Sequence, residues 1–141
     1  MAVHRADFPS TYAAVSKARN FVVSFARWAG LSGEALHDLE CAIGEALANA
    51  VEHGHRPGSH FTVSADVVDG AVVVDVKDYG AGFEASQVSP GLQPPSQSPR
   101  GFGIFIMRCL VDRIQYSERG TRVLLVKKIP VAASDTARRE A

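Results

Sequence analysis

Gly44-Glu45-Ala46-Leu47-Ala48-Asn49-Ala50-Val51-Glu52-His53-Gly54 is the stretch that decides the fold. It continues a helical pattern in which Leu36, Leu39, Ile43, Ala46, Leu47 and Ala50 recur at three- and four-residue steps. At about 100° per residue these side chains form one stripe that must face a core. Glu45 and Asn49 are four apart, so they stack one turn above the other beside that stripe. The Glu can accept a proton or ligate water or a cation, and the Asn can offer a carbonyl oxygen to a hard cation such as Mg²⁺. Such spacing is common by chance, and alone it reads as the polar flank of an amphipathic helix.

Outward from this helix the chain keeps a clear order. Val3 to Phe8 reads as a short edge strand ended by Pro9, with Ser10 or Thr11 as a cap. Ala14, Ala18, Phe21, Val22, Phe25 and Ala29 keep helical spacing from Ala13 to Ala29, and Gly30 stops that helix. The second helix follows a cap at Ser32 and runs to about His53. Phe61, Val63, Ala65 and Val67 alternate as a half-buried strand to Val68, and Asp69-Gly70 is a hairpin signal before a returning strand, Ala71 to Val76. Residues 84–99 are rich in Pro, Ser and Gln without periodicity, a loop of about fifteen residues that reads as a functional lid. Arg100 opens a third helix with the stripe Phe102, Phe105, Ile106, Cys109 and Leu110. Ile114–Ser117 and Thr121–Lys128 read as a second hairpin around Glu118-Arg119-Gly120, and Pro130 ends it. The expected fold is α+β: a two-layer sandwich with a mainly antiparallel sheet covered on one face by three helices. Residues 1–130 are expected to form a single domain and 131–141 a flexible tail.

Composition agrees with one globular domain. The 141 residues are 46% hydrophobic and 21% charged, with fifteen basic residues balancing fifteen acidic ones. That balance gives no global electrostatic case for nucleic acid or an anionic membrane. Met1 to Asp7 lacks the apolar core of a secretory signal, and no apolar run approaches the ~18 residues of a membrane span. Cys41 and Cys109 both read as buried thiols in a reducing cytoplasm, without a His-and-acid signature for an active thiol.

Two further boxes carry chemistry. Asp78-x-Gly80-x-Gly82 follows a strand, where a carboxylate can accept a hydrogen bond from an exocyclic amine and glycines let backbone approach a flat base or a phosphate. Arg100-Gly101-Phe102-Gly103 at a helix start offers free N–H groups, the positive dipole end and a guanidinium to an anion. Each box alone also reads as an ordinary turn or loop end. The ordered set, with a lid between the second and third, reads as one nucleotide site.

These residues resemble the GHKL (Bergerat-fold) ATPases, and within them the bacterial anti-sigma factor/serine-protein kinases of the RsbW type. Glu45 to Gly54 matches the N box, Asp78 to Phe83 the G1 box and Arg100 to Asp112 the G2 box, over roughly residues 10–128. The resemblance implies ATP or ADP as nucleotide, with Asn49 as the Mg²⁺ ligand and Glu45 as the catalytic base. It places Asp78 on the adenine amine, with His53, Gly80, Gly82, Gly101, Phe102 and Gly103 around the nucleotide and Arg100 near the terminal phosphate. It implies transfer of phosphate to a serine or threonine of a STAS-type anti-anti-sigma factor, with a sigma factor as a further candidate partner. A homodimer in the cytoplasm is also implied. The proline- and serine-rich lid departs from the family's glycine-rich one.

Two other readings compete. One is an ATP-binding switch that holds a partner without phosphotransfer, which would not need Glu45. The other is a histidine-kinase catalytic domain cut from a larger protein, disfavoured by the lack of a preceding phosphoacceptor helix. His53, His55 and His60 straddle a helix end without tetrahedral spacing, so solvated loop positions are favoured over zinc. Arg19 on the first helix reads as a solvated side chain rather than a partner contact.

Overall fold

Alternation along one central strand sets the two layers. In β3 (Ala71–Asp78) the side chains of Val72, Val74 and Val76 are at most 1% exposed, while Val73, Asp75 and Lys77 point the other way and stay partly open. The computed structural model describes residues 4–54, 58–80 and 99–131. Within them, β1 is His4–Pro9, β2 His60–Val68, β4 Arg113–Ser117 and β5 Arg122–Lys128, with helices α1 Tyr12–Ala29, α2 Gly33–Gly54 and α3 Pro99–Leu110. A short 3₁₀ turn, Glu118–Gly120, joins β4 to β5. The sheet has the order β1-β2-β3-β5-β4, and every neighbouring pair is antiparallel.

Local chemistry explains the breaks. Thr11 caps α1 through its side chain, which accepts the Ala14 N–H at 3.2 Å, and Gly30 closes the helix. The Asp69-Gly70 turn between β2 and β3 has positive φ at both positions, 49° and 75°. That is the primed geometry which matches strand twist in a two-residue hairpin. The expected second hairpin is present as β4 and β5, and the expected first strand is an edge strand, as predicted.

The core lies between the helices and one face of the sheet. Leu39, Ile43, Leu47 and Val51 of α2 are at most 1% exposed and share it with Val22, Phe61, Val63, Leu125 and Met107. α2 packs against α1 on one side and α3 on the other, and also touches β3. Two expectations fail here. Cys41 and Cys109 are both exposed, not buried. On α2 the core-facing residues next to Cys41 are Ala42 and Ile43, which turns the thiol outward. On α3 the buried row is Met107 with Val111 just beyond the helix, while Ile106 is 37% exposed. The expected stripe is thus rotated by about one residue, which carries Cys109 out of the core. The lid at 84–99, but for its last residue, and the tail at 132–141 lie outside the described residues.

Candidate functional site

The face of α2 nearest the sheet's strand ends is unusually small. Ala46, Asn49, Ala50 and His53 fall at i, i+3, i+4 and i+7, so they share one helix face, and together they line a cleft. The other walls are Val76 and Asp78 of β3, Tyr116 of β4, and Gly120, Thr121 and Val123 at the start of β5. The enclosed space is about 10 Å³, room for about one water. Two alanines on the helix wall leave room that larger side chains would fill.

Asp78 is the fourth member of the inward row that begins at Val72. The same alternation that buries three valines therefore buries a carboxylate, and it is 4% exposed. Burial raises its pKa above the ordinary value of 3.8, opposed by a hydrogen bond donated by the Gly80 N–H to Oδ1 at 2.9 Å. Its own N–H donates to the Thr121 carbonyl at 2.8 Å, which ties β3 to the turn opposite. An acid held in a core row has no packing rationale and costs stability.

Gly80 has a steric cause. A Cβ there would overlap the His53 carbonyl oxygen and stand only 2.8 Å from the Gly54 Cα. Gly54 is tight in turn, since its Cβ would lie 3.2 Å from the Asp78 Cβ. The last turn of α2 and the end of β3 are thus pressed backbone to backbone beside Asp78. Gly80 is needed for that approach, and at Gly54 a side chain would require Asp78 to give by a few tenths of an ångström.

Tyr116 was not foreseen as a site residue. It follows Ile114 in the inward phase of β4, and its hydroxyl oxygen is buried. Burial raises its pKa strongly; the Asn49 side-chain hydrogen bond and the Arg108 charge act against that, and the Glu45 charge adds to it. Tyr116 and Asn49 thus line the same cleft. Glu45 itself is half-buried and is not among the cleft-lining residues; it stands one helical turn before Asn49. Thr121 and Gly120 were also missed. The signal available for them was the Gly-Thr step closing the second hairpin, whose position opposite Asp78 depends on the β3–β5 register. Their turn is held from outside by Lys77 Nζ, which donates to Glu118 Oε2 at 2.7 Å, and by Arg122 Nε, which donates to Asp75 at 2.8 Å.

The predicted residues separate as follows. Asn49, His53 and Asp78 meet in the cleft, and Gly80 shapes its floor. The Nε2 of His53 is buried, so this histidine is no solvated loop residue. Arg100, Gly101, Phe102 and Gly103 lie in the first turn of α3, while Gly82 and His55 lie outside the described residues. His60 on β2 packs its ring 4.5 Å from that of Tyr79, tilted by 32°, and is not among the lining residues. Arg19 is half-buried rather than fully solvated and crosses α2 at Gly44, where a Cβ would lie 3.6 Å from its guanidinium. Among the described residues no three His, Cys, Asp or Glu side chains group as a metal site.

Residues 8–127 match the family model described as the histidine kinase-like ATPase domain. The chain is 30% identical over 122 residues to an anti-sigma F factor of Clostridium acetobutylicum, covering 80% of this chain and 84% of that one. It is 29% identical over 125 residues to the serine-protein kinase RsbW of Listeria innocua, covering 82% and 80%. Its fold matches a crystal structure of the RsbU and RsbW domains of a Mycobacterium tuberculosis protein, with a TM-score of 0.66 at 22% identity. That match covers 94% of this chain and 34% of the longer one.

Proposed function

The chain belongs to the histidine kinase-like ATPase domain family, and from that premise we propose that it is an ATP-dependent serine/threonine kinase of the anti-sigma type. The observation that carries the reading is a buried carboxylate, Asp78, without an ion-pair partner among the described residues, lining one small-walled cleft with Asn49. Relatives named anti-sigma factor and serine-protein kinase support it. Its substrate is a STAS-type antagonist, its second partner a sigma factor, and its compartment the cytoplasm; no described helix is long and apolar enough to cross a membrane.

The residues fit an adenine nucleotide with Mg²⁺. Asp78 offers an acceptor to an exocyclic amine, and the Gly80 N–H holds one of its two carboxylate oxygens in place. The Asn49 carboxamide has one carbonyl oxygen for a cation, and Tyr116 lines the same cleft. The Mg-nucleotide, when bound, supplies the phosphoryl group and the charge neutralisation on which phosphoryl transfer depends. Glu45 takes the proton from the incoming hydroxyl, a role that suits a half-buried carboxylate one turn from Asn49. His53, Gly82 and the Arg100–Gly103 turn complete the nucleotide surround.

A homodimer follows on the same reading, through the aromatic face of α1 and β1. Trp28 is 66% exposed, and its ring lies 5.6 Å from Phe25 and 6.1 Å from His4. An exposed Trp packed against a buried Phe beside an exposed His is the kind of anchor that interaction surfaces use. The function is tested with γ-labelled ATP, Mg²⁺ and STAS proteins of the same cell. Label on a serine or threonine is expected. Tight ATP binding with no labelled protein would leave a nucleotide-dependent binding switch instead.

A further inference from the structure

Cys41 and His37 are four apart on the outer face of α2, both exposed, with the thiol sulfur 3.6 Å from the His37 Nε2. Cys109, the other free thiol, is exposed on α3 without a recorded partner among the described residues. Within one molecule there is thus a thiol beside an imidazole and a thiol without one. A nucleophile with a base at hydrogen-bonding distance is the arrangement that activates sulfur for attack. Its neighbour Asp38 is engaged elsewhere, 3.5 Å from Lys127 Nζ, and does not compete for the imidazole. The pair also lacks a third ligand that would make it a metal site.

Its place on the helix gives it a consequence. Cys41 precedes Glu45 by one turn, about 6 Å along the axis and about 40° around it. On the kinase reading, a protein substrate that brings a hydroxyl to Glu45 comes within one helical turn of Cys41. A tripeptide thiol attached at Cys41 reaches about 10 Å, enough to cover the approach. The Asn49–Asp78 cleft lies on the face of α2 turned to the sheet, and neither Cys41 nor His37 is among its lining residues.

We propose that Cys41, served by His37, is a thiol–disulfide exchange site for low-molecular-weight disulfides, and that the adduct blocks the protein substrate while sparing nucleotide binding. In the exchange the Cys41 sulfur attacks one sulfur of the reagent. The reagent's S–S bond breaks and a new one forms to Cys41. The thiol proton passes through His37 Nε2 to the departing sulfur, which leaves as one free thiol. Cys41 is oxidised and the reagent reduced by the same two electrons. The blocking half rests on the kinase reading above; the exchange half does not.

The experiment uses oxidised glutathione on the full chain, with intact mass and peptide mapping against time. Cys41 is expected to gain the adduct about tenfold faster than Cys109, and His37→Ala to bring it down to the Cys109 rate. In a Cys109→Ser background, the adduct should leave ATP affinity within about twofold and lower phosphate transfer at least about tenfold, with reductant restoring it. A Cys41→Ser, Cys109→Ser variant should keep its transfer rate under the same treatment. Equal rates at the two cysteines, or a His37→Ala rate like wild type, would overturn the exchange site. An adduct that leaves transfer unchanged would overturn the block. Failure of the kinase reading is separately visible, because the untreated protein would then label no substrate while the mass result stands.

Discussion

Replacing Asp78 with asparagine should weaken ATP binding while leaving the fold as stable or more so, two effects of opposite sign from one side chain. The Gly80 N–H requires an acceptor where Oδ1 now stands, 2.9 Å away. The introduced amide is therefore locked with its own oxygen toward Gly80, and its NH₂ takes the place of the cleft-facing oxygen. A donor then meets the exocyclic amine of adenine, also a donor. Losing a hydrogen bond to a charged group costs about 1.5–3 kcal/mol, or roughly 10- to 150-fold in Kd. Nucleotides with a carbonyl at that ring position should lose less, so the preference for ATP over GTP falls. Stability moves the other way because burial raises the Asp78 pKa. A carboxyl of that kind stabilises the fold fully below its unfolded value and loses that contribution as pH rises through its folded value. Wild type therefore falls behind the uncharged variant as pH climbs above 3.8, and by pH 7 the variant's Tm should equal or exceed that of wild type. Calorimetric titration with ATP and GTP, paired with thermal unfolding from pH 4 to 7, reads both arms. Unchanged ATP affinity, or a variant that melts lower at pH 7 with no pH-dependent gap, would refute the reasoning.

Other outcomes follow from the same geometry. Gly80→Ala must push the end of β3 off the last turn of α2, where a Cβ would stand 2.8 Å from Gly54 Cα, and should destabilise by about 1–3 kcal/mol in urea unfolding. Lys77→Ala removes an exposed 2.7 Å ion pair and should cost less than about 1 kcal/mol, measured the same way. Asn49→Ala should abolish the Mg²⁺-dependent part of ATP affinity while sparing the Mg²⁺-free part, seen by titration with and without EDTA. Trp28→Glu should shift sedimentation from dimer to monomer at micromolar concentration and leave nucleotide affinity unchanged.

Much of this was legible in the chain because the signals were local. The long period-3.6 stripe of α2, the Asp69-Gly70 turn and the alternation of β2 and β3 each specify their own element, and the structure has all of them. Asp78 was legible as chemistry, and its burial follows from continuing the β3 alternation by one step. What escaped depends on longer-range placement. α3 is 12 residues long and mostly apolar, so several stripes fit its sequence, and only its packing against α2 selects Met107 over Cys109. Tyr116 and Thr121 reach the cleft through the β3–β5–β4 ladder, whose register no local pattern gives. The Cys41–His37 contact needed the knowledge that none of the described residues covers this helix face.

The central claim, that Glu45 and Asn49 divide catalysis from nucleotide binding on one helix, is tested most directly by single-turnover phosphate transfer. Wild type, Glu45→Gln and Asn49→Ala would be preloaded with γ-labelled ATP and mixed with a STAS antagonist. The account predicts that Glu45→Gln binds ATP like wild type yet transfers phosphate at least about 10²-fold more slowly, the scale of a general base. A Glu45→Gln variant that transfers at the wild-type rate would contradict it.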